Sequence, residues 1–281
     1  MQHPLLLVYY TRVKCCTRSL NLLRYTSLQL REVFHIEFLR WLGRTVKAGH
    51  YALKGGVNLR FFFKSIRYSE DMDLDTYGIG VIQLKEAVMK ILNNRLFQDN
   101  LKPFGIMSVK APDIGKAKQT ETTQRFKIHL ISSSAEALFT KVEFSRRGKA
   151  GDVAVEAVDD AILRAYKLTP LLVPHYDVYA AVGQKLSALA ARKIAQARDI
   201  FDLYILSSQY GAGNKHIRGL EAGILSRAHD RIFEIEFAQF NDTVVSYLSD
   251  EDRAVYSNPG SWEEVRLKTV DFIEEVRKSH A

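Results

Sequence analysis

Lys54-Gly55-Gly56-Val57-Asn58-Leu59-Arg60, followed after six residues by Arg67-Tyr68-Ser69-Glu70-Asp71-Met72-Asp73-Leu74-Asp75, decides how the chain is read. Tyr51-Ala52-Leu53 just before it is a short strand candidate that the two glycines stop, and Val57 to Phe63 reads as the opening of a helix. Glycines let the backbone turn tightly and let a ligand come close. The helix that starts there presents free N–H groups and the positive end of its dipole, which suits phosphate. In the second stretch charged and apolar residues alternate, a strand signal that puts Asp71, Asp73 and Asp75 on one face. Asp71 and Asp73 would project side by side, roughly 7 Å apart. Such a pair can hold a hard cation such as Mg²⁺, which prefers oxygen ligands and bridges substrate phosphates. Paired cations would activate an attacking oxygen and stabilise a pyrophosphate leaving group.

Working outward, apolar residues recur every three or four positions from Leu30 to Val46 (Val33, Phe34, Phe38, Trp41, Leu42), which predicts an amphipathic helix. Residues 83 to 97 read as another helix. Strands are expected at Ile106 to Val109, Arg125 to Ile131 and Phe139 to Ser145, with a hairpin loop from Pro112 to Thr123. After about Val155 strand signals fade and helical patterns take over: Tyr179 to Ala191, Ala197 to Ser207, Ile217 to Ala228, Val244 to Leu248 and Trp262 to Lys278. The order suggests an α+β core with a mixed sheet followed by a helical region, rather than a repeating βαβ array. The expected division is 1–28 as an N-terminal extension of uncertain order, 29–155 as the core, and 156–281 as a helical C-terminal domain.

Composition narrows the classes. Of 281 residues, 47% are hydrophobic and 26% charged, an ordinary soluble profile with ample length for a core. No apolar run reaches the roughly 18 residues of a membrane span. Leu5-Leu6-Leu7-Val8 is too short for a signal-peptide core, and Arg12, Lys14 and Arg18 follow it rather than precede it. A cytoplasmic protein is expected. The two cysteines, Cys15 and Cys16, are neighbours and read as unpaired thiols, neither a structural disulfide nor a zinc site. The net charge of +8 is compatible with a polyanionic partner such as RNA. Phosphate-loop, zinc-protease and hydrolase-elbow motifs are absent from the sequence.

A glycine pair, a helix start, then D-x-D after 14 and 16 intervening residues resembles the DNA polymerase β-type nucleotidyltransferase superfamily. A further segment sharpens this: Gln184-Lys185-Leu186-Ser187-Ala188-Leu189, then Arg198-Asp199-Ile200-Phe201-Asp202-Leu203-Tyr204. K-G-G-x-x-L-R, R-x-S-x-D-x-D, K-L-x-A-L and R-D-x-F-D-L-Y, in that order from Leu53 to Tyr204, resemble the AbiEii/AbiGii family of nucleotidyltransferase toxins. The resemblance implies a polymerase β-like core and transfer of an NMP from an NTP to an acceptor, with release of pyrophosphate. It also implies a type IV toxin–antitoxin or phage-defence role, a cognate antitoxin, and RNA such as tRNA as acceptor. It places the ligands for Mg²⁺ or Mn²⁺ on Asp71 and Asp73, the phosphate-neutralising lysine on Lys185, and the last acidic motif on Asp199 and Asp202. Asp202 is favoured as the site carboxylate and Asp199 as a partner of Arg198. Glu143, on a core strand, is the candidate base for the attacking hydroxyl. Gly55, Gly56, Arg60, Ser69 and Lys185 are the nucleotide-binding candidates. The chain departs from the family at Gln184, where an acidic residue is common, and at Val57, where a small hydroxyl residue is common. Rival readings are transfer to a protein or small molecule, which a neutral or acidic cleft rim would favour, and a catalytically silent nucleotide- or RNA-binding module.

Overall fold

The computed structural model describes residues 25–113, 115, 119–148, 151–211 and 216–280. The adjacent cysteines, Cys15 and Cys16, and most of the expected N-terminal extension lie outside the described residues. The first helix, α1 (Ser27–Thr45), starts inside that expected extension because Thr26 and Gln29 form a reciprocal capping box. A single sheet of seven strands follows, ordered β3-β4-β5-β2-β1-β7-β6. Its centre is the motif region: β1 (Tyr51–Lys54) pairs antiparallel with β2 (Met72–Thr76) through the short helix α2 (Gly55–Phe62). On one side of β2 lie β5 (Ala137–Ser145), parallel to it, then antiparallel β4 (Thr123–Ser132) and β3 (Ile106–Lys110). The helix expected at 83–97 is two, α3 (Val81–Leu92) and α4 (Arg95–Leu101), because Asn94 caps the second. The apolar face of the sheet (Phe126, Ile128, Leu130, Val142, Phe144) packs with α1, α3 and α4 in one core.

The expected boundary at residue 155 falls inside β6 (Val153–Ala157), and the sheet continues through β7 (Leu172–Tyr176), with α5 (Asp160–Ala165) between them. Two causes hid these strands. Pro174 sits within β7, which argues against a strand in a sequence reading, and β6 is an edge strand with mixed exposure. The helical region begins at α6 (Val178–Ala191) and continues with α7 (Ala197–Ser207). Beyond these come α8 (Ala222–Arg231), α9 (Phe237–Thr243), α10 (Asp250–Tyr256) and α11 (Pro259–Ser279). The helix expected at Val244 to Leu248 is only a single 3₁₀ turn, Val245–Tyr247.

One short helix joins the two hydrophobic cores. Val57 and Phe61 of α2 belong to the sheet-side core, while Leu59 and the adjoining Phe63 belong to the core built by α6, α7, α8 and α11. Residues four apart share a helix face. The Val-x-Leu-x-Phe-x-Phe alternation therefore gives α2 two apolar sides and buries it between the cores. Phe62 then stacks on His175 of β7, ring centroids 3.6 Å apart.

Candidate active site

The site grows from the glycine turn. Gly55 has φ +69°, a left-handed conformation that favours glycine, and a Cβ there would lie 3.1 Å from the Asp73 Oδ2. A Cβ at Gly56 would collide with the Ser69 hydroxyl and stand 3.1 Å from Arg67 Nη2. The missing side chains thus let the first turn of α2 lie directly against Arg67, Ser69 and Asp73.

Sheet register then lines up the acids. Asp73 stands beside Glu143 of β5, and Asp71 just precedes β2, its carboxylate 3.1 Å from Lys141 Nζ. Arg125 of β4 donates from Nε to Glu143 at 2.7 Å, and Lys141 approaches the same carboxylate at 3.9 Å. Burial raises the Asp73 pKa above the ordinary aspartate value. Lys141 opposes this, while the nearby Glu143 and Asp71 charges add to it. Asp75 is set back from this row: Tyr176 donates its hydroxyl at 2.7 Å, and Lys54 forms an ion pair with it.

Two cavities meet at Asp73. The larger, about 1190 Å³, is lined by residues including Lys54, Gln184, Asp199, Arg147 and Arg218. The smaller, about 380 Å³, is lined by Ser69, Asp71, Lys141, Arg198 and others. Gly55, Asp73, Lys185 and Arg192 belong to the walls of both. Nε2 of Gln184 is buried in the wall of the larger cavity with no hydrogen-bond partner among the described residues.

Behind this waist lies a buried ion cluster. Lys185 Nζ is 2.6 Å from Asp202 and 3.0 Å from Asp199. Burial disfavours its charge, but Asp202 and Asp199 outweigh burial and hold its pKa above the usual lysine value. Asp202 is itself fully buried. Burial alone would raise its pKa, yet Arg67 and Lys185 carry it below the usual carboxylate value.

The structure thus brings Gly55, Gly56, Ser69, Asp71, Asp73 and Lys185 to one cavity wall, with Glu143 beside Asp73. Three expectations need correcting. Arg60 turns away: its Nε donates to Glu32 at 2.7 Å, and its guanidinium lies over the Tyr68 ring. Asp202 lines neither cavity, whereas Asp199 reaches the larger one. Asp199 pairs with Arg192 at 2.8 Å and with Lys185 rather than with Arg198, which points to the smaller cavity. Sequence reasoning missed Lys141 and Arg192. Lys141 was findable, since it lies two residues before Glu143 and shares its face. Arg67, which precedes the D-x-D in the sequence, donates from Nη2 to both carboxylate oxygens of Asp202.

A family model described as nucleotidyl transferase AbiEii toxin, type IV toxin–antitoxin system, matches residues 37–270. The chain belongs to this family. It is a nucleotidyltransferase toxin of a type IV toxin–antitoxin system, and as an AbiEii protein it works on an NTP. A search of curated proteins returned no match. Among solved structures the AbiEii chain is similar to JHP933 from Helicobacter pylori, with TM-score 0.54, 19% identity, and coverage of 91% of this chain and 94% of that one. It is similar also to MenT4, nucleotidyltransferase toxin Rv2826c from Mycobacterium tuberculosis H37Rv, with TM-score 0.56, 17% identity, and coverage of 90% and 87%. At these identities the likeness is one of fold. No helix among the described residues of this AbiEii protein is long and apolar enough to cross a membrane.

Proposed function

We propose that this toxin transfers an NMP from an NTP to RNA, tRNA being the first candidate, in a Mg²⁺-dependent reaction at Asp71 and Asp73. The observation that carries this reading is Asp73 at the junction of two cavities, one large enough for a nucleotide, with Asp71 lining the smaller cavity and Glu143 beside Asp73 on the neighbouring strand. Magnesium is typically held by one or two carboxylates with water and substrate phosphates completing its shell, a part that Asp71 and Asp73 would take. The burial of Asp73 beside two other acids also fits a cation, because a nearby positive charge would favour its ionised form. A divalent cation bound there would offset triphosphate charge and stabilise the departing pyrophosphate.

The chain's own residues supply the rest. The N–H groups at the start of α2 and the Ser69 hydroxyl hold phosphate oxygens next to the carboxylates. Lys185, fixed by two aspartates, keeps a full positive charge on the wall shared by both cavities. Glu143 accepts the proton of the attacking hydroxyl, with Arg125 and Lys141 holding its carboxylate in place. Asp202 acts by positioning Lys185 and Arg67 rather than by touching substrate. The cavity linings hold Arg147, Arg192, Arg198 and Arg218 among nearly as many acidic residues, so the preference for a polyanionic acceptor rests on the net charge of +8.

Incubation with each of the four α-labelled NTPs, Mg²⁺ and total tRNA tests the reading. Label entering RNA with the wild type, but not with Asp71→Ala/Asp73→Ala, is the expected result. Label in protein or a small molecule would move the acceptor and keep the chemistry. Binding of NTP without any transfer would leave a silent binding module.

A further inference from the structure

We propose that the open face of β3, β4 and β5 is a bed for the unpaired 3′ end of the acceptor RNA, where Phe139 stacks on a base and Lys141, Lys127 and Lys110 meet phosphates. The proposal rests on the RNA-acceptor reading above.

Register builds the surface in rows. Asp73, Glu143 and Arg125 are neighbours across β2, β5 and β4. One step along, Lys141 pairs with Lys127, and Asp71 meets Lys141. One step further, Phe139 faces His129, which in turn faces Lys110. Alternate residues point to one face, so each step covers roughly 7 Å. A basic and aromatic track therefore runs from the carboxylates to about 14 Å away. Residues of the opposite sign on this face lie at its carboxylate end.

The residues between them, Phe126, Ile128, Leu138 and Val142, point the other way and are buried in the core. Phe139, by contrast, is 59% exposed, and Lys127 and Lys110 are exposed too. The Phe139 ring is braced from the side by His129, centroids 4.4 Å apart, and its carbonyl accepts from Arg31 Nε at 2.8 Å. A fixed, exposed ring between cationic side chains is how proteins hold single strands: bases stack on the ring whatever their identity, and the cations follow the backbone. Duplex RNA hides its base faces, so the surface suits an unpaired end.

The test is anisotropy of a 5′-fluorescein single-stranded RNA with a free 3′ end, using the full chain without NTP. Phe139→Ala is expected to weaken binding about tenfold and Phe139→Trp to keep it. Lys127→Ala is expected to weaken binding and to flatten the log–log salt slope by about 0.7. Both positions are at the surface, so an unchanged Tm and NTP affinity would accompany the loss. RNA binding that is equal in wild type, Phe139→Ala and Lys127→Ala overturns the bed while leaving RNA as the acceptor. A wild type that binds no RNA overturns both.

Discussion

Arg67 Nη2 lies 3.0 Å from both carboxylate oxygens of Asp202, and Arg67 Nε is 3.2 Å from one of them, a forked contact across 135 residues of chain. It ties the segment leading into β2 to helix α7, and Lys185 completes the cluster from α6. Buried charges of this kind stabilise little as a set, but removing one partner strands the others. Asp202→Asn should therefore lower stability by about 3–5 kcal/mol, measured by urea unfolding. Asp71→Asn, at a carboxylate 44% exposed, should abolish transfer with little change in stability. If Asp202→Asn left stability intact and removed only activity, its positioning role would be wrong. The pH sense follows from the depressed Asp202 pKa. Its contribution is present above the unfolded value near 3.8 and is lost as pH falls through the lower folded value.

At the glycine turn, Gly55→Ala must place a Cβ 3.1 Å from Asp73 Oδ2 in a left-handed backbone. The conformational strain costs about 1–2 kcal/mol. The displaced carboxylate should lower kcat far more than that loss of stability suggests. Equal kcat in Gly55→Ala and wild type would show that Asp73 does not need this contact.

The raised Asp73 pKa gives a pH profile. In the proposed magnesium-dependent reaction Asp73 must be ionised to hold the cation, so activity should fall, as pH drops, earlier than an ordinary aspartate would dictate. Lys141 is the largest charge opposing that rise. Lys141→Met should therefore move the acid limb of kcat/KM to higher pH. A limb that stays put or moves down would contradict the assignment.

His35 is buried in α1 against Thr140, 3.0 Å from its hydroxyl, and burial with Arg31 nearby lowers its pKa to about 3. The folded chain keeps it neutral while the unfolded chain protonates near pH 6.5. Stability is thus unaffected above that value and falls below it, by about 2 kcal/mol between pH 6.5 and 5 from this group alone. His35→Gln should flatten this slope in urea unfolding, whatever it does to stability at pH 7.

Local pattern made much of this legible. The 3.6-residue period gave α1, α6 and α7, and the strict alternation around Asp71 and Asp73 gave β2 and its face. What escaped depends on contacts made at a distance. Arg60 and Arg67 flank the same turn, and nothing local says which one faces the site. With apolar residues on both sides of α2, the pattern could not orient the helix, so Arg60 read as a ligand contact although it belongs to Glu32. Asp199 and Asp202 share one helix face, and only the packing of α6 against α7 separates a cavity wall from a buried pair. Pro174 masked β7, whose parallel neighbour β1 is supplied from more than a hundred residues earlier.

The wall common to both cavities has a kinetic meaning. Asp73, Gly55, Lys185 and Arg192 line both cavities, so a ligand in either one reaches the same four residues. Donor and acceptor can be resident together, and neither must depart before the other arrives. Initial rates measured against one substrate at several levels of the other should give intersecting lines, not the parallel ones of an enzyme that stores the transferred group on itself.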